Sequence, residues 1–352
     1  MSMRFICSFF SLSFCFSASA LDAPALLTMI KGEVQIFSEP QATAKKSDNQ
    51  VLYENKYWSS RKAKMGEKIF SGSVIHTGVD GKARLVYPNS DQLNIGPGSS
   101  VIVDRKTLAG NEIPQTDVQI MYGKLRAVVQ KNEGDTKERF RVKTPTAVAG
   151  VRGTDFAAGF NPNNSLSDVS VLRGEVQVSS AKDAKKSIAL KPGNTVTVQE
   201  PVKAVETDKA AKKDPAVEKS ASTESTPKAV ASVFEVKTTS QEQLVEIQKA
   251  THIKLDEKEL KEAPKAVQAE IQKTETLALK NTLQSIKIED PQLYKRLESV
   301  PAKDVSELNV AAVGKALETA PRVTPPEIKR KKLQEELNDL DEDIYKKYFK
   351  VQ

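Results

Sequence analysis

Short runs of alternating apolar and polar residues extend from about residue 25 to residue 200. Residues 34–37, 83–87 and 169–172 are examples, and Gly, Asn, Asp or Pro separates most of the runs. Alternation with a period of two is typical of β-strands that have one buried face and one exposed face. The pattern therefore predicts an all-β domain of short strands over residues 21–200.

One sequence pattern recurs within this region. Residues 31–38 and 173–180 are identical at five of eight positions, and residues 122–127 form a weaker third copy. Self-similarity of this kind indicates that one β-unit is used more than once. The repeats predict a solenoid-like or a sandwich-like arrangement of the strands.

The composition changes abruptly after residue 200. Residues 201–238 are rich in Pro, Ala, Lys, Glu, Ser and Thr and contain few large apolar side chains. Such a segment buries too little apolar surface to offset the entropy that is lost on ordering. We therefore predict a disordered linker over residues 201–238.

Residues 239–352 carry apolar side chains at spacings of three or four among many charged residues, which predicts a charged α-helical region divided by prolines. The last predicted helix, residues 326–349, has one apolar stripe. Such a stripe either packs against neighbouring helices or docks onto another protein. Self-association through residues 326–349 is one form of the second alternative.

The first 20 residues have the three parts of a secretory signal peptide. Arg4 precedes a short apolar run, and residues 18–20 read Ala-Ser-Ala, a typical cleavage site. We predict cleavage before Leu21 and a periplasmic or secreted protein. Both cysteines lie in this leader, and lipidation of Cys15 is the alternative to cleavage before Leu21. No later segment is apolar over enough residues to span a membrane.

The net charge is +7 at pH 7, and the basic excess lies in residues 21–200, because residues 201–352 contain equal numbers of acidic and basic side chains. A basic domain favours an anionic partner, such as a polyanionic glycan, an acidic protein or phospholipid head groups. Export and the absence of a recognition motif argue against nucleic acid as a partner.

Residues suited to catalysis or to metal binding are scarce. The chain has two histidines, His76 and His252, and no cysteine after the leader. A zinc-type ligand set is therefore missing, and a Ser-His-Asp triad would have to use one of these two histidines. No phosphate-binding loop with its lysine occurs. We expect a protein that is not an enzyme and that needs no metal or cofactor.

Several motifs follow one another in a specific order. The most specific is Lys-Thr-Pro-Thr-Ala-Val-Ala-Gly-Val-Arg-Gly-Thr-Asp-Phe at residues 143–156, and the others are residues 65–78, 80–86, 173–178 and 190–194. Together they resemble the FecR domain, a β-rich bacterial periplasmic module. Regulators of this family have a cytoplasmic anti-sigma segment and a transmembrane helix before the domain. Only four residues precede the apolar run here, so we do not expect their transmembrane signalling role.

The resemblance also suggests a chemical reaction at Gly153 and Thr154. A matching Gly-Thr bond in similar regulators breaks by itself, through attack of the Thr hydroxyl on the preceding carbonyl to give an ester that water opens. Asp155 could act as base and Arg152 as the oxyanion partner. The structural alternative is a tight strand–turn–strand corner with Val151 and Phe156 in the core and Arg152 outward or ion-paired.

Alternating basic residues predict a binding face on one strand. Arg139, Arg141 and Lys143 would lie on the same side, with Phe140 and Val142 inward. Stacking of the repeated strands would extend this face with Arg152, Arg173, Lys124 and Arg126. The alternative is an ordinary solvated sheet face that is paired with acidic neighbours.

Tyr57 and Trp58 suggest an edge on which a glycan could stack, and a loop anchored to the core is the alternative.

These observations favour an exported, non-enzymatic module that binds or organises envelope polymers, such as peptidoglycan, or periplasmic and outer-membrane proteins. The alternative is an envelope signalling protein that is cut between Gly153 and Thr154. An enzyme acting on the envelope is a third hypothesis, which the lack of a catalytic residue set disfavours.

Overall fold

Two β-sheets share one long strand. The structure is a computed structural model that describes residues 24–43, 49–106, 114–131, 139–199, 233–254, 257–298 and 305. The predicted signal peptide, most of the predicted linker and the predicted helix of residues 326–349 lie outside these residues.

The described residues form eighteen strands. They are β1 (Ala25–Lys31), β2 (Val34–Gln41), β3 (Gln50–Tyr53), β4 (Lys56–Lys62), β5 (Lys68–Ile69), β6 (Ser73–Thr77), β7 (Lys82–Val86), β8 (Gln92–Ile95), β9 (Ser100–Lys106), β10 (Gln115–Val128), β11 (Phe140–Lys143), β12 (Ala147–Val151), β13 (Asp155–Asn161), β14 (Leu166–Arg173), β15 (Val176–Ser180), β16 (Ser187–Leu190), β17 (Asn194–Gln199) and β18 (Val233–Thr238).

The first sheet, sheet A, has the order β5-β1-β7-β8-β10-β13-β14-β17-β18, and each of these pairs is antiparallel. The second, sheet B, has the order β3-β4-β2-β6-β9-β10-β11-β12-β15-β16, with a parallel pairing of β10 and β11. Strand β10 pairs within sheet B over residues 115–122 and within sheet A over residues 123–128.

Alternate side chains of the two sheets meet in one continuous apolar core. Its fully buried members come from both sheets and include Leu27, Leu85, Leu125, Phe156, Val169, Ile36, Ile75, Val118, Phe140 and Val178. Burial of these side chains is the main favourable contribution to folding. The arrangement confirms the predicted all-β domain, in its sandwich form.

The chain crosses between the sheets at glycines with positive φ. Gly32, Gly123, Gly153 and Gly174 have φ angles of 66°, 94°, 65° and 80°. Three of them lie in the repeated sequence, so the repeated unit is a sandwich corner. Gly123 also has no space for a side chain, because an added Cβ would lie 2.5 Å from the Cα of Ser99.

Strand β18 corrects the predicted linker of residues 201–238. Residues 233–238 pair with β17 at the edge of sheet A, and Phe234 packs against the core. The average composition of the segment favoured disorder. This short stretch nevertheless alternates apolar and polar residues, so it is suited to completing a sheet. The linker prediction is therefore wrong for residues 233–238.

In the described part of the chain, four helices follow β18. They are α1 (Gln241–Thr251), α2 (Glu257–Glu262), α3 (Lys265–Glu289) and α4 (Pro291–Glu298). Helix α1 begins with a capping box, in which Ser240 and Gln243 each accept a hydrogen bond from the backbone N–H of the other. The predicted helical region is confirmed for residues 241–298, which we call the helical segment.

The helical segment packs on the outer face of sheet A. Leu260 of α2 and Ile271 of α3 contact Leu26 of β1. Beyond this apolar contact, the sheet has a layer of polar side chains that are buried although they point away from the core. These are Thr28, Arg84, Gln92, Asn94, Arg126, Asp155 and Arg173. The helices thus cover the polar outer face of sheet A, whereas the apolar inner face of this sheet contributes to the sandwich core.

Candidate functional site

The predicted basic face is a cross-strand ion cluster on sheet B. Arg141 donates two hydrogen bonds to the carboxylate of Asp117, at 2.8 and 2.9 Å, and Lys143 Nζ donates a third at 2.9 Å. Phe140 and Val142 point into the core. The basic side chains are half-exposed and share one carboxylate, which is the arrangement expected of an ordinary solvated sheet face.

This cluster changes the acidity of Asp117. Partial burial alone would raise the pKa of Asp117, but hydrogen bonds from Arg141, Gln115 and Lys143 outweigh it and lower the pKa from 3.8 to about 2. Asp117 therefore stays ionised through mildly acidic conditions.

Arg139 does not share this face. It is buried, and its Nη2 donates a hydrogen bond of 2.5 Å to the carbonyl oxygen of Gln130. The Asp91 carboxylate lies 3.9 Å away. The prediction that Arg139 faces outward is wrong because it precedes β11, so the period-two alternation that begins at Phe140 does not apply to it.

The other predicted basic residues belong to sheet A or its corners. Arg173 is buried and pairs with Glu289 of α3, and Arg152 is exposed. Burial raises the pKa of Glu289, and the charges of Arg173, Lys131 and Arg152 lower it by a smaller amount. The charges of Arg152 and Arg173 therefore act on the same carboxylate, that of Glu289, which does not belong to the sheet B cluster.

Lys124 and Arg126 lie on β10 in sheet A. Lys124 pairs with Glu246 of α1 at the surface. Arg126 forms a buried pair with Asp155 through two hydrogen bonds of 2.8 and 2.9 Å. The predicted single basic patch is thus divided among several locations, each with its own acidic partner.

Gly153 and Thr154 form the corner between β12 and β13. Thr154 is fully buried, and among the described residues its Oγ1 has no hydrogen-bond partner. Asp155 is committed to Arg126. The carboxylate beside Gly153 is that of Glu289, whose Oε1 lies 2.4 Å from the position of an added Cβ. Cleavage at this corner stays a prediction.

Trp58 is an interior residue. It is 7% exposed and packs with Phe37 and Val74, and its Nε1 donates a hydrogen bond to the carbonyl oxygen of Tyr53 at 3.0 Å. The predicted stacking edge at Trp58 is wrong, because strand β4 turns the indole toward the sheet. His76 stacks on Phe37 nearby, which is a structural contact.

A groove that the sequence did not reveal lies between α1 and the outer face of sheet A. It encloses about 460 Å³. The floor is made of small residues, including Ala157 and Gly159 of β13 and Ser170 of β14. The rim carries charged and carboxamide groups from Lys124, Glu246, Asp168, Asn161, Asn164 and Gln243. The groove combines apolar surface with hydrogen-bonding groups, as small-molecule sites do.

Two absences concern the described residues alone. They contain no group of three or more His, Cys, Asp or Glu side chains that could hold a metal ion. Within the same residues, no helix has both the length and the apolar character needed to cross a membrane.

The model of the family described as "FecR protein" matches residues 73–177, which run from the start of β6 into β15. The chain contains a FecR domain. The FecR family is associated with the cell envelope.

Two crystal structures of a candidate anti-sigma factor from Parabacteroides distasonis, at 1.65 and 2.50 Å resolution, match 36% of this chain and 54% of their own. This chain therefore spans about half the length of that protein. The sequence identity is 21% and the TM-score is 0.29, values too low to support a functional argument. No curated protein matches the chain.

The groove lies partly inside the FecR domain. Its floor strands β10, β13 and β14 fall within residues 73–177, whereas its roof, α1, lies outside them. The sandwich likewise continues beyond the matched region, through β1–β5 on one side and β16–β18 on the other.

Proposed function

We propose that this protein is an exported, non-enzymatic FecR-domain protein that acts in the periplasm as a binding or scaffold module for envelope polymers or proteins. The groove between α1 and sheet A supports this proposal most directly. It has the size of a ligand pocket and combines a floor of small side chains with a polar rim.

The chemistry of the groove favours a ligand with both apolar and hydrogen-bonding groups. Lys124 and Glu246 provide opposite charges at one side, and Asp168 adds a carboxylate that also accepts a hydrogen bond from Thr197. A peptidoglycan fragment, in which sugar hydroxyls and amides alternate with methyl groups, fits this combination. A purely anionic ligand fits less well, because it would compete with the acidic partners that the basic side chains already have. These basic side chains are Lys124, Arg126, Arg141, Lys143 and Arg173.

Cosedimentation with purified peptidoglycan sacculi tests the proposal. The wild-type chain is compared with Ala157→Leu, which places a larger side chain in the floor of the groove. Ala189→Leu is the matched control, because Ala189 is an exposed strand residue on sheet B, remote from the groove. We expect the wild type and the control to sediment with sacculi and Ala157→Leu to remain in the supernatant.

Two outcomes would contradict the proposal. If none of the three chains sediments with sacculi, peptidoglycan is not the ligand. If Ala157→Leu sediments like the wild type, the groove is not the binding site.

An envelope signalling protein that cleaves itself between Gly153 and Thr154 is the second candidate. The observation in its favour is the buried hydroxyl of Thr154, which lacks a hydrogen-bond partner among the described residues and directly follows a glycine with positive φ. Against it, Asp155 is engaged by Arg126. Incubation of the purified chain, followed by mass measurement, separates the two candidates.

A further inference from the structure

Two arginines on the outer face of sheet A pair with glutamates of α3. Arg84 Nη1 lies 3.3 Å from Glu275 Oε2, and Arg173 contacts Glu289. In both pairs the side chains are at most 11% exposed. Ion pairs shielded from water in this way are screened little by salt.

Two lysines of sheet A contact negative groups of α1 and its C-terminal end in a similar way. Lys82 Nζ donates to the carbonyl oxygens of Lys249, at 2.5 Å, and of His252, at 3.1 Å. The C-terminal end of a helix carries partial negative charge. Lys124 pairs with Glu246. Each of the four basic side chains is thus met by a negative group of the helical segment.

Helix α3 binds this part of the sheet through polar contacts. Thr282 Oγ1 accepts a hydrogen bond of 2.8 Å from Gln130, and Ser285 Oγ accepts one of 3.0 Å from the backbone N–H of Lys131. The α3 residues that make these polar contacts are Glu275, Thr282, Ser285 and Glu289, and the buried Ala278 lies on the same helical face, since all five positions recur every three or four residues. The larger apolar side chains of this half of α3 pack against α4 instead: Leu279, Leu283 and Ile286.

Hydrogen bonding at this interface is incomplete. Among the described residues, Oε1 of Glu275 and Nη2 of Arg173 are buried without a hydrogen-bond partner. A buried polar atom without a partner is destabilising, and water satisfies it when the surfaces separate. Separation of α3 from the sheet is therefore less costly than separation of an apolar interface of the same size.

From this charge complementarity we propose that the outer face of sheet A is a docking surface for an α-helix of a partner protein, and that α3 occupies this surface when the partner is absent. The partner helix carries two carboxylates ~21 Å apart along its axis, the spacing of Glu275 and Glu289. Small or hydroxyl-bearing side chains lie between them. This inference goes beyond the proposed groove function, because its test requires no envelope ligand.

The test uses the full chain with Glu275→Gln and Glu289→Gln together, and an isotope-labelled peptide of residues 265–289 as the probe. We expect amide hydrogen exchange over residues 265–289 to be at least tenfold faster in the variant, because α3 leaves the sheet more often. We also expect the peptide to bind the variant at least tenfold more tightly than it binds the wild type.

Glu262→Gln with Glu270→Gln is the matched control. These glutamates are exposed, and their replacement changes the net charge by the same amount. The control chain should behave like the wild type. A probe peptide with glutamine at both positions 275 and 289 should bind neither chain.

Protection of β12 and β14 reports whether the variant sandwich is intact. If that protection is lost, the competition is measured on the wild-type chain, where excess labelled peptide should accelerate exchange of the chain's own α3. Unchanged exchange over residues 265–289 in an intact variant, failure of the peptide to bind it, or no acceleration in the wild-type competition would each overturn the proposal.

Discussion

Arg126 and Asp155 form a doubly hydrogen-bonded ion pair between β10 and β13, at 2.8 and 2.9 Å, with side chains only 4% and 0% exposed. The pair lies on the side of sheet A that faces away from the core. It therefore joins two central strands of sheet A through a contact that is shielded from water, on the face where the helices pack. It also occupies the carboxylate that self-cleavage at Gly153–Thr154 was expected to use as base.

Arg126→Leu should destabilise the fold strongly, because it leaves the buried Asp155 carboxylate without its partner. We expect a loss of about 3–5 kcal/mol in the free energy of unfolding, measured by urea titration. The double variant Arg126→Leu with Asp155→Leu should recover part of this loss, since it removes both charges. A double variant less stable than Arg126→Leu alone would contradict this account of the pair.

Gly123→Ala should prevent β10 from crossing between the sheets. An added Cβ would lie 2.5 Å from the Cα of Ser99, and the φ angle of 94° disfavours any side chain. Gly98→Ala is the matched control, because Gly98 has a φ of 59° with no atom within 4 Å of its added Cβ. We expect about 1 kcal/mol of destabilisation for Gly98→Ala and a clearly larger value for Gly123→Ala. Equal melting temperatures for the two variants would refute the steric argument.

Asp117 should make the fold acid-sensitive over a defined range. Its pKa is about 2 in the folded chain, below the ordinary value of 3.8. A depressed pKa contributes stability that is fully present above the unfolded-state value and is lost as the pH falls through the folded-state value. The wild type should therefore lose stability between about pH 4 and pH 2, and Asp117→Asn should lose less over this range in urea titrations at fixed pH.

Thr154→Val tests whether the buried hydroxyl lowers the stability of the fold. Because Oγ1 lacks a partner among the described residues, its replacement by a methyl group should leave stability unchanged or raise it by up to about 1 kcal/mol. Thr146→Val is the control, since the Thr146 hydroxyl contacts Ser167 and the carbonyl oxygen of Val198. The control should lose about 1–3 kcal/mol. A similar loss in Thr154→Val would reveal a partner for its hydroxyl.

The strands could be predicted because their pattern is local. Alternation of apolar and polar residues identifies each strand, and the repeat that contains Gly32, Gly123 and Gly174 marks three sandwich corners. Contacts between distant segments leave no such pattern. Arg84 and Glu275 are 191 residues apart, and Arg173 and Glu289 are 116 apart. Their pairing depends on how α3 crosses the sheet.

The groove was missed for the same reason, although a weak signal existed. Ala157 and Gly159 occupy outward positions of β13, where an exposed strand usually carries larger polar side chains. Small residues at alternate positions indicate that another element approaches closely. Strand β18 was missed because its six residues are surrounded by a segment whose average composition predicts disorder.

We propose that the chain is exported and acts intact as an envelope binding module. Intact mass measurement with N-terminal sequencing, on protein recovered from the envelope fraction of its own cells, tests this proposal. We predict one species that begins at Leu21 and continues unbroken through Gly153 and Thr154. Two fragments that meet between Gly153 and Thr154, or an unprocessed chain that begins at Met1, would contradict it.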